Sequence, residues 1–306
     1  MVLLQRKQKN KLLHKEGVAA YLYLIPAFIG LIVLTYVPLA AVFGLSFFKW
    51  GGVGMPEWVG LQNYVRLFTE DPYFKESVKV TVYFSLLAVI GSMIYSLIVA
   101  LLLNREIPAR GFFRAVFYLP YVLPATAVYI GWSWLYNTEW GLFNYILSKL
   151  GIERLMFVSS SSQVVPALAL IAVWLSGNLI VIFLAGLQNV PRVYHEAAQI
   201  DGANSWQRFW NVTVPSMTPI IFYNMLMALI TNMQVVTPAL ALTKGGPGKS
   251  SYFISYMLYN YAFKQRGKLG LACAIAFVLF LLIGAFTLIL FATSKSWIFY
   301  EGGDSK

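Results

Sequence analysis

Three short stretches hold the residue types from which reactive sites are usually built. His195-Glu196 opens the pattern H-E-x-x-H, in which two histidines one helical turn apart hold zinc and the glutamate serves as base. Position 199 is Gln199 and the second histidine of the chain, His14, lies far upstream, so the other ligand is missing. Thr243 to Ser250 reads TKGGPGKS, close to the phosphate-cradling G-x-x-x-x-G-K-[ST]. There Thr243 stands where the first glycine belongs, Pro247 intrudes, and no strand-like run leads in. A loose turn between two apolar segments is the expectation. Glu196 and Asp201 could be catalytic carboxylates, but no second charged cluster stands ready to complete a centre. Docking is the better use for them. The chain is therefore expected to be no enzyme and to hold no metal or cofactor of its own.

The segment that must position Glu196 and Asp201 runs from Val190 to Pro219, VPRVYHEAAQIDGANSWQRFWNVTVPSMTP. Pro191 suits the first turn of a helix, where its missing N–H is no loss. Val193, Ala197 and Ile200 follow at i, i+4 and i+7, one narrow apolar face. Gly202 is placed to end this helix in a left-handed turn. Asn204 or Ser205 can cap a second short helix, with Gln207 three residues beyond Asn204 to complete a capping box. Pro215 marks the start of a long apolar helix. The pattern predicts a bent pair of short helices. Either it fits into a partner or it is a loop lying on a membrane surface.

A membrane is demanded by composition. Of 306 residues, 59% are hydrophobic and 11% charged, with a mean hydropathy of +0.67. A soluble domain carries roughly 25% charged residues. The formal charge of +11 could suggest nucleic acid, but the basic residues sit in short loops and tails between apolar runs. Lipid headgroups and topology account for them better, and no nucleic-acid partner is expected. The single cysteine, Cys273, excludes an intrachain disulfide.

Six runs are apolar and long enough to cross a bilayer at about 20 residues each: 18–48, 80–103, 115–136, 164–188, 215–242 and 269–294. The fold class is all-α, a polytopic membrane protein with about six transmembrane helices. A basic tail (1–17), a membrane domain (18–294, with the polar bend at 190–215) and a C-terminal tail (295–306) make up the chain. Pro26 and Pro38 could kink the first span. Arg6, Lys7, Lys9, Lys11 and Lys15 outnumber Glu16, and Arg105, Arg110 and Arg114 outnumber Glu106. This places the N-terminus and the 190–215 bend in the cytoplasm. Lys244, Lys249, Lys264, Arg266 and Lys268, in an outer loop, argue the other way.

No Asp, Glu, Lys, Arg or His falls within the six runs. Self-powered carriers use a buried ionisable group as their coupling device, so its absence argues against one. Neutral polar groups occur instead: Trp174, Asn178, Asn224, Thr231, Asn232 and Gln234. They could bond and stack on a hydroxyl-rich solute, or hold helices together.

At Glu196 the motifs become specific. Glu196-Ala197-Ala198, Asp201-Gly202-Ala203, Phe209 and Pro215 resemble the EAA loop of ABC-importer permeases, in the form found in the carbohydrate (maltose and glycerol-3-phosphate) branch. Tyr21 to Pro26 with Tyr36-Val37-Pro38, Gly60-Leu61-Gln62-Asn63-Tyr64, Leu119-Pro120 with Pro124, Ala185 to Pro191, and Leu242 to Gly248 resemble further motifs of that family in the same order. The resemblance covers nearly all of the chain. It implies an inner-membrane subunit of a bacterial importer for a sugar, oligosaccharide or similar polyol. A second homologous permease, cytoplasmic ATP-binding subunits that bind the ATP, and an extracytoplasmic solute-binding protein would be its partners. The bend would couple to the ATPase through Glu196, Ala197, Ala198, Asp201, Gly202 and Ala203. Solute contacts would include Trp174, Asn178, Thr231 and Asn232. A stand-alone transporter or channel, and a pore-free scaffold subunit, are the competing functions.

Overall fold

The computed structural model describes residues 21–299. The tail expected over 1–17 and the end of the tail expected over 295–306 lie outside the described residues. In chain order the helices that build the membrane body are α1 (Tyr21–Leu45), α2 (Phe74–Asn104), α3 (Arg110–Val122) and α4 (Ala125–Leu135). A short connecting helix α5 (Leu142–Lys149) precedes α6 (Val164–Trp174), α7 (Gly177–Asn189) and α8 (Arg192–Ile200). The long helices α9 (Ser205–Met233) and α10 (Leu269–Ser294) complete it. Among the described residues four helices are long and apolar enough to cross a membrane, and six spans result when the bent pairs α3/α4 and α6/α7 each count as one.

Three of the expected spans are altered, each for a local reason. The run 115–136 is broken, with α3 and α4 meeting at 99°. Pro124 drives Leu123 to an extended φ/ψ of −67°, 145°, which ends α3, while Pro120 already weakens its last turn. The run 164–188 bends by 48° at Leu175-Ser176. There the Ser176 hydroxyl donates to the Val173 carbonyl at 2.7 Å, taking over an acceptor that the helix would otherwise use. The run 215–242 starts earlier and ends earlier. A π turn at Phe209–Thr213 carries the capped helix continuously into the span, and Met233 is its last helical residue. In α1, another π turn at Ile32–Tyr36 lies just ahead of Pro38, whose missing N–H cannot close a normal turn.

Helix α2 is the central post and packs on α6, α7 and α9. Ser77, Thr81, Ser85, Ala88, Ser92 and Ser96 repeat every three or four residues along it and are all buried. Small side chains let helices approach closely where no hydrophobic force drives association. Gly91 shows how closely: a Cβ there would sit 2.6 Å from Val173 Cγ2 on α6. Hydroxyls then stitch the contact. Ser96 Oγ lies 2.9 Å from Ser176 Oγ, Thr81 Oγ1 accepts the Ile254 N–H at 3.0 Å, and Asn224 donates to the Leu179 carbonyl at 3.3 Å.

Polar ties secure the loops that join the spans. The Asn63 amide donates to the Ser46 and Phe48 carbonyls at 2.8 and 3.0 Å, securing the two-strand hairpin β1 (Phe48–Lys49) and β2 (Glu57–Trp58). Asn144 on α5 binds both ways to Leu155, donating to its carbonyl at 2.8 Å and accepting its N–H at 2.9 Å. The TKGGPGKS stretch is tied down rather than loose. Ser251 donates to Thr243 Oγ1 at 2.7 Å and to the Gly246 carbonyl at 2.6 Å, while the Lys249 ammonium sits 4.3 Å from the centre of the Tyr252 ring.

Candidate functional site

Two places hold the residues singled out in the sequence. The first is the bend between α8 and α9. Helix α8 starts at Arg192 after Pro191, which serves as its N-cap rather than its first helical residue. It ends in a Schellman turn: Gly202 has φ +81°, Ala203 N–H donates to the Ala198 carbonyl at 2.9 Å, and Gly202 N–H to the Gln199 carbonyl at 3.1 Å. Asn204 then caps α9 with a full capping box. Its side chain accepts the Gln207 N–H at 2.9 Å, and the Gln207 side chain accepts the Asn204 N–H at 2.8 Å. Arg208 reaches back across the corner to Gln199 Oε1 at 3.5 Å. The bend is thus a shaped corner, built entirely from local hydrogen bonds.

What the corner presents is unusual for a surface loop. The apolar face of α8 is uncovered: Val193 is 67% exposed and Ile200 87%. Trp206, in the first turn of α9, is 69% exposed. Glu196, Ala197, Asp201 and Gly202 are exposed as well, with Ala198 and Ala203 half-buried beneath them. Among the described residues Glu196 and Asp201 form no ion pair. Among the described residues no further His, Cys, Asp or Glu gathers around His195 and Glu196 to hold a metal.

The second place is a cavity of about 380 Å³ inside the helix bundle. It opens where both bent spans break, with Leu123 and Ala125 on one side and Leu175 and Ser176 on the other. Asn178 on α7 and Thr231 and Asn232 on α9 line it together. Trp174 lies outside this lining, its ring 5.5 Å from that of Trp132 in the packed core. The Asn232 amide donates to the Ala228 carbonyl one turn back at 2.8 Å, leaving its oxygen for another partner. Asn224 is wholly buried as helix glue, and no Lys, Arg, Asp or Glu is among the described residues lining the cavity.

Residues 92–295 match the family described as binding-protein-dependent transport system inner membrane component. The chain belongs to that family. It is 36% identical over 298 residues to a Bacillus subtilis protein described as a probable ABC transporter permease, YesP, with 96% of each chain covered. The trehalose/maltose transport system permease MalF of Thermococcus litoralis is 32% identical over 283 residues, covering 92% of this chain and 95% of that one. Among solved structures, a bacterial ABC transporter that imports the acidic polysaccharide alginate superposes with a TM-score of 0.76 at 22% identity, over 92% of this chain and 96% of that one. That likeness establishes the fold, all-α and multi-pass, while the family and the relatives make the chain an ABC-importer permease.

For this permease, sequence reasoning missed the second half of the cavity. Ser92, Tyr121 and Tyr129 line it beside Asn178 and Asn232. Pro120 and Pro124 were the available signal. A proline pair within one apolar run marks a break, and in a membrane irregular backbone is tolerated where it lines a cavity.

Proposed function

We propose that this permease carries a neutral sugar or oligosaccharide, forming half of the pathway beside a second, homologous permease. It does no chemistry. Cytoplasmic ATP-binding subunits bind the nucleotide and transmit their closure through the α8–α9 corner, so that the spans rock around the central cavity in alternating access. An extracytoplasmic protein delivers the solute. The N-terminus lies in the cytoplasm, in line with the dense basic residues at 6–15 and 105–114.

The observation that carries the reading is the exposed, preformed corner. A helix that leaves Val193 and Ile200 bare, with Glu196 unpaired, is finished as an element only when a partner covers it. Glu196 would pair with a basic group in a groove of the ATPase. Ala197, Ala198 and Ala203 keep the surface slim enough to seat, and Asp201 and Gly202 form the turn. Asn178, Thr231 and Asn232 present amides and a hydroxyl to the solute, and relatives named for trehalose/maltose and for multiple sugars support that class. Trp174 supports the cavity wall from behind. Glu196→Lys is expected to leave the chain inserted in the membrane while abolishing solute-stimulated ATP hydrolysis by the assembled complex. Unchanged stimulation would remove the docking role.

A further inference from the structure

Two hydroxyls in the cavity are left unanswered by the packing around them. Ser92 on α2 is 2% exposed and Tyr129 on α4 is 4% exposed, and both line the cavity. Neither hydroxyl has a hydrogen-bond partner among the described residues. Neither oxygen is sealed within the packing, so both open onto the cavity, where water or a solute completes a hydroxyl's hydrogen bonds.

The rest of the α2 stripe shows how such groups are ordinarily satisfied. Ser77 donates to the Phe74 carbonyl and Thr81 to the Ser77 carbonyl, both at 2.7 Å. Ser96 meets Ser176. Ser92 sits on the same face and does none of these. Ser85 is also unpartnered, but its oxygen is sealed within the packing and it does not line the cavity. On α4, Tyr129 combines a buried ring with a hydroxyl free to give or take a bond.

We propose that Ser92 and Tyr129 are specificity-determining residues of the transport pathway, each exchanging a hydrogen bond with a hydroxyl of the solute. The inference rests on the carbohydrate reading above. They act from α2 and α4, complementing Asn178 on α7 and Asn232 on α9. A hydroxyl is both donor and acceptor, as are the hydroxyls of a sugar, so the match needs no charge on either side. A site built to bond a particular hydroxyl discriminates against a solute that places it elsewhere, because the protein group is then left unpaired.

Maltose and trehalose share a formula and differ in linkage, which makes them suitable probes. Uptake of each is measured in vesicles holding the assembled complex, its binding protein and ATP. Tyr129→Phe and Ser92→Ala are each expected to change the maltose-to-trehalose uptake ratio by about two- to tenfold, the range of one hydrogen bond. Ser85→Ala should leave the ratio as in the wild type. A second arm reads the surface directly. On a Cys273→Ser background, Ser92→Cys and Tyr129→Cys should react with the water-soluble reagent methanethiosulfonate ethylammonium, whereas Ser85→Cys should not. Failure of both cavity positions to react overturns the proposal. So does reaction with an unchanged uptake ratio, which would mean that the hydroxyls meet only water. If the wild-type complex carries neither of these two sugars, the carbohydrate reading narrows to other sugars, and the labelling arm still decides the proposal, since no reaction at either position overturns it.

Discussion

Replacing Gly202 by valine perturbs the coupling corner through the backbone alone. A Cβ at this position would meet nothing within 4 Å, so the first carbon added finds open space. The penalty comes from φ +81°, a left-handed conformation that disfavours a side chain by about 1–2 kcal/mol. At 1.4 kcal/mol per factor of ten, the corner as seen here becomes about 5–30 times less populated relative to straighter forms. A partner that selects the corner then binds more weakly by the same factor. The assay strips the peripheral ATP-binding subunit from permease-containing membranes and titrates it back, following solute-stimulated ATP hydrolysis. For Gly202→Val the half-saturating concentration should rise about 5–30-fold, with the rate at saturation retained. Gly202→Asn should stay near the wild type, because asparagine tolerates the left-handed turn. If the valine variant titrates like the wild type, the preformed corner is not what the ATPase recognises.

Other consequences lie elsewhere in the fold. Gly91→Ala drives a methyl group into Val173 and should destabilise the detergent-solubilised protein by about 1–3 kcal/mol, read as a lower melting temperature. Asn144→Ala removes the clamp between α5 and Leu155, and proteolysis at Arg154 should quicken markedly in membranes that expose this loop. Burial and then the Asp71 carboxylate, which accepts its hydroxyl at 2.5 Å, push the Tyr261 phenol above its ordinary range. The folded form keeps this proton where the unfolded chain loses it. The stabilisation is therefore complete below tyrosine's usual value of about 10 and is lost as pH rises beyond it towards the folded value. Tyr261→Phe should lose less stability than the wild type over that alkaline window.

The corner was the most legible part of the molecule. Pro191, Gly202 and the Asn204–Gln207 pair act within a few residues of one another, so their chemistry is visible in a linear string, and the hydrogen bonds fall where those residues sit. Span number was legible for a similar reason: hydropathy is a local property. The breaks in the third and fourth spans were not read, because an apolar run looks continuous whether or not its backbone is. Prolines at 120 and 124 held that information for the third. For the fourth, Ser176 breaks the helix by bonding Val173 and meeting Ser96 on α2, a contact between positions 80 residues apart. The cavity depends on both breaks. Asn178, Thr231 and Asn232 could be named as polar groups in apolar runs, but their meeting with Ser92 and Tyr129 is a product of packing. Trp174 was polar enough to be a candidate, and the structure places its half-buried ring against Trp132, outside the lining of the cavity.

The central claim is that energy enters this permease through the α8–α9 corner. The most direct measurement places a photoreactive amino acid at Ile200, the most exposed large apolar residue of α8, and irradiates intact membranes holding the assembled complex. The account predicts one dominant protein adduct, to the ATP-binding subunit, that weakens when Glu196→Lys is added. Adducts to lipid alone, or an ATPase adduct indifferent to Glu196→Lys, would contradict it.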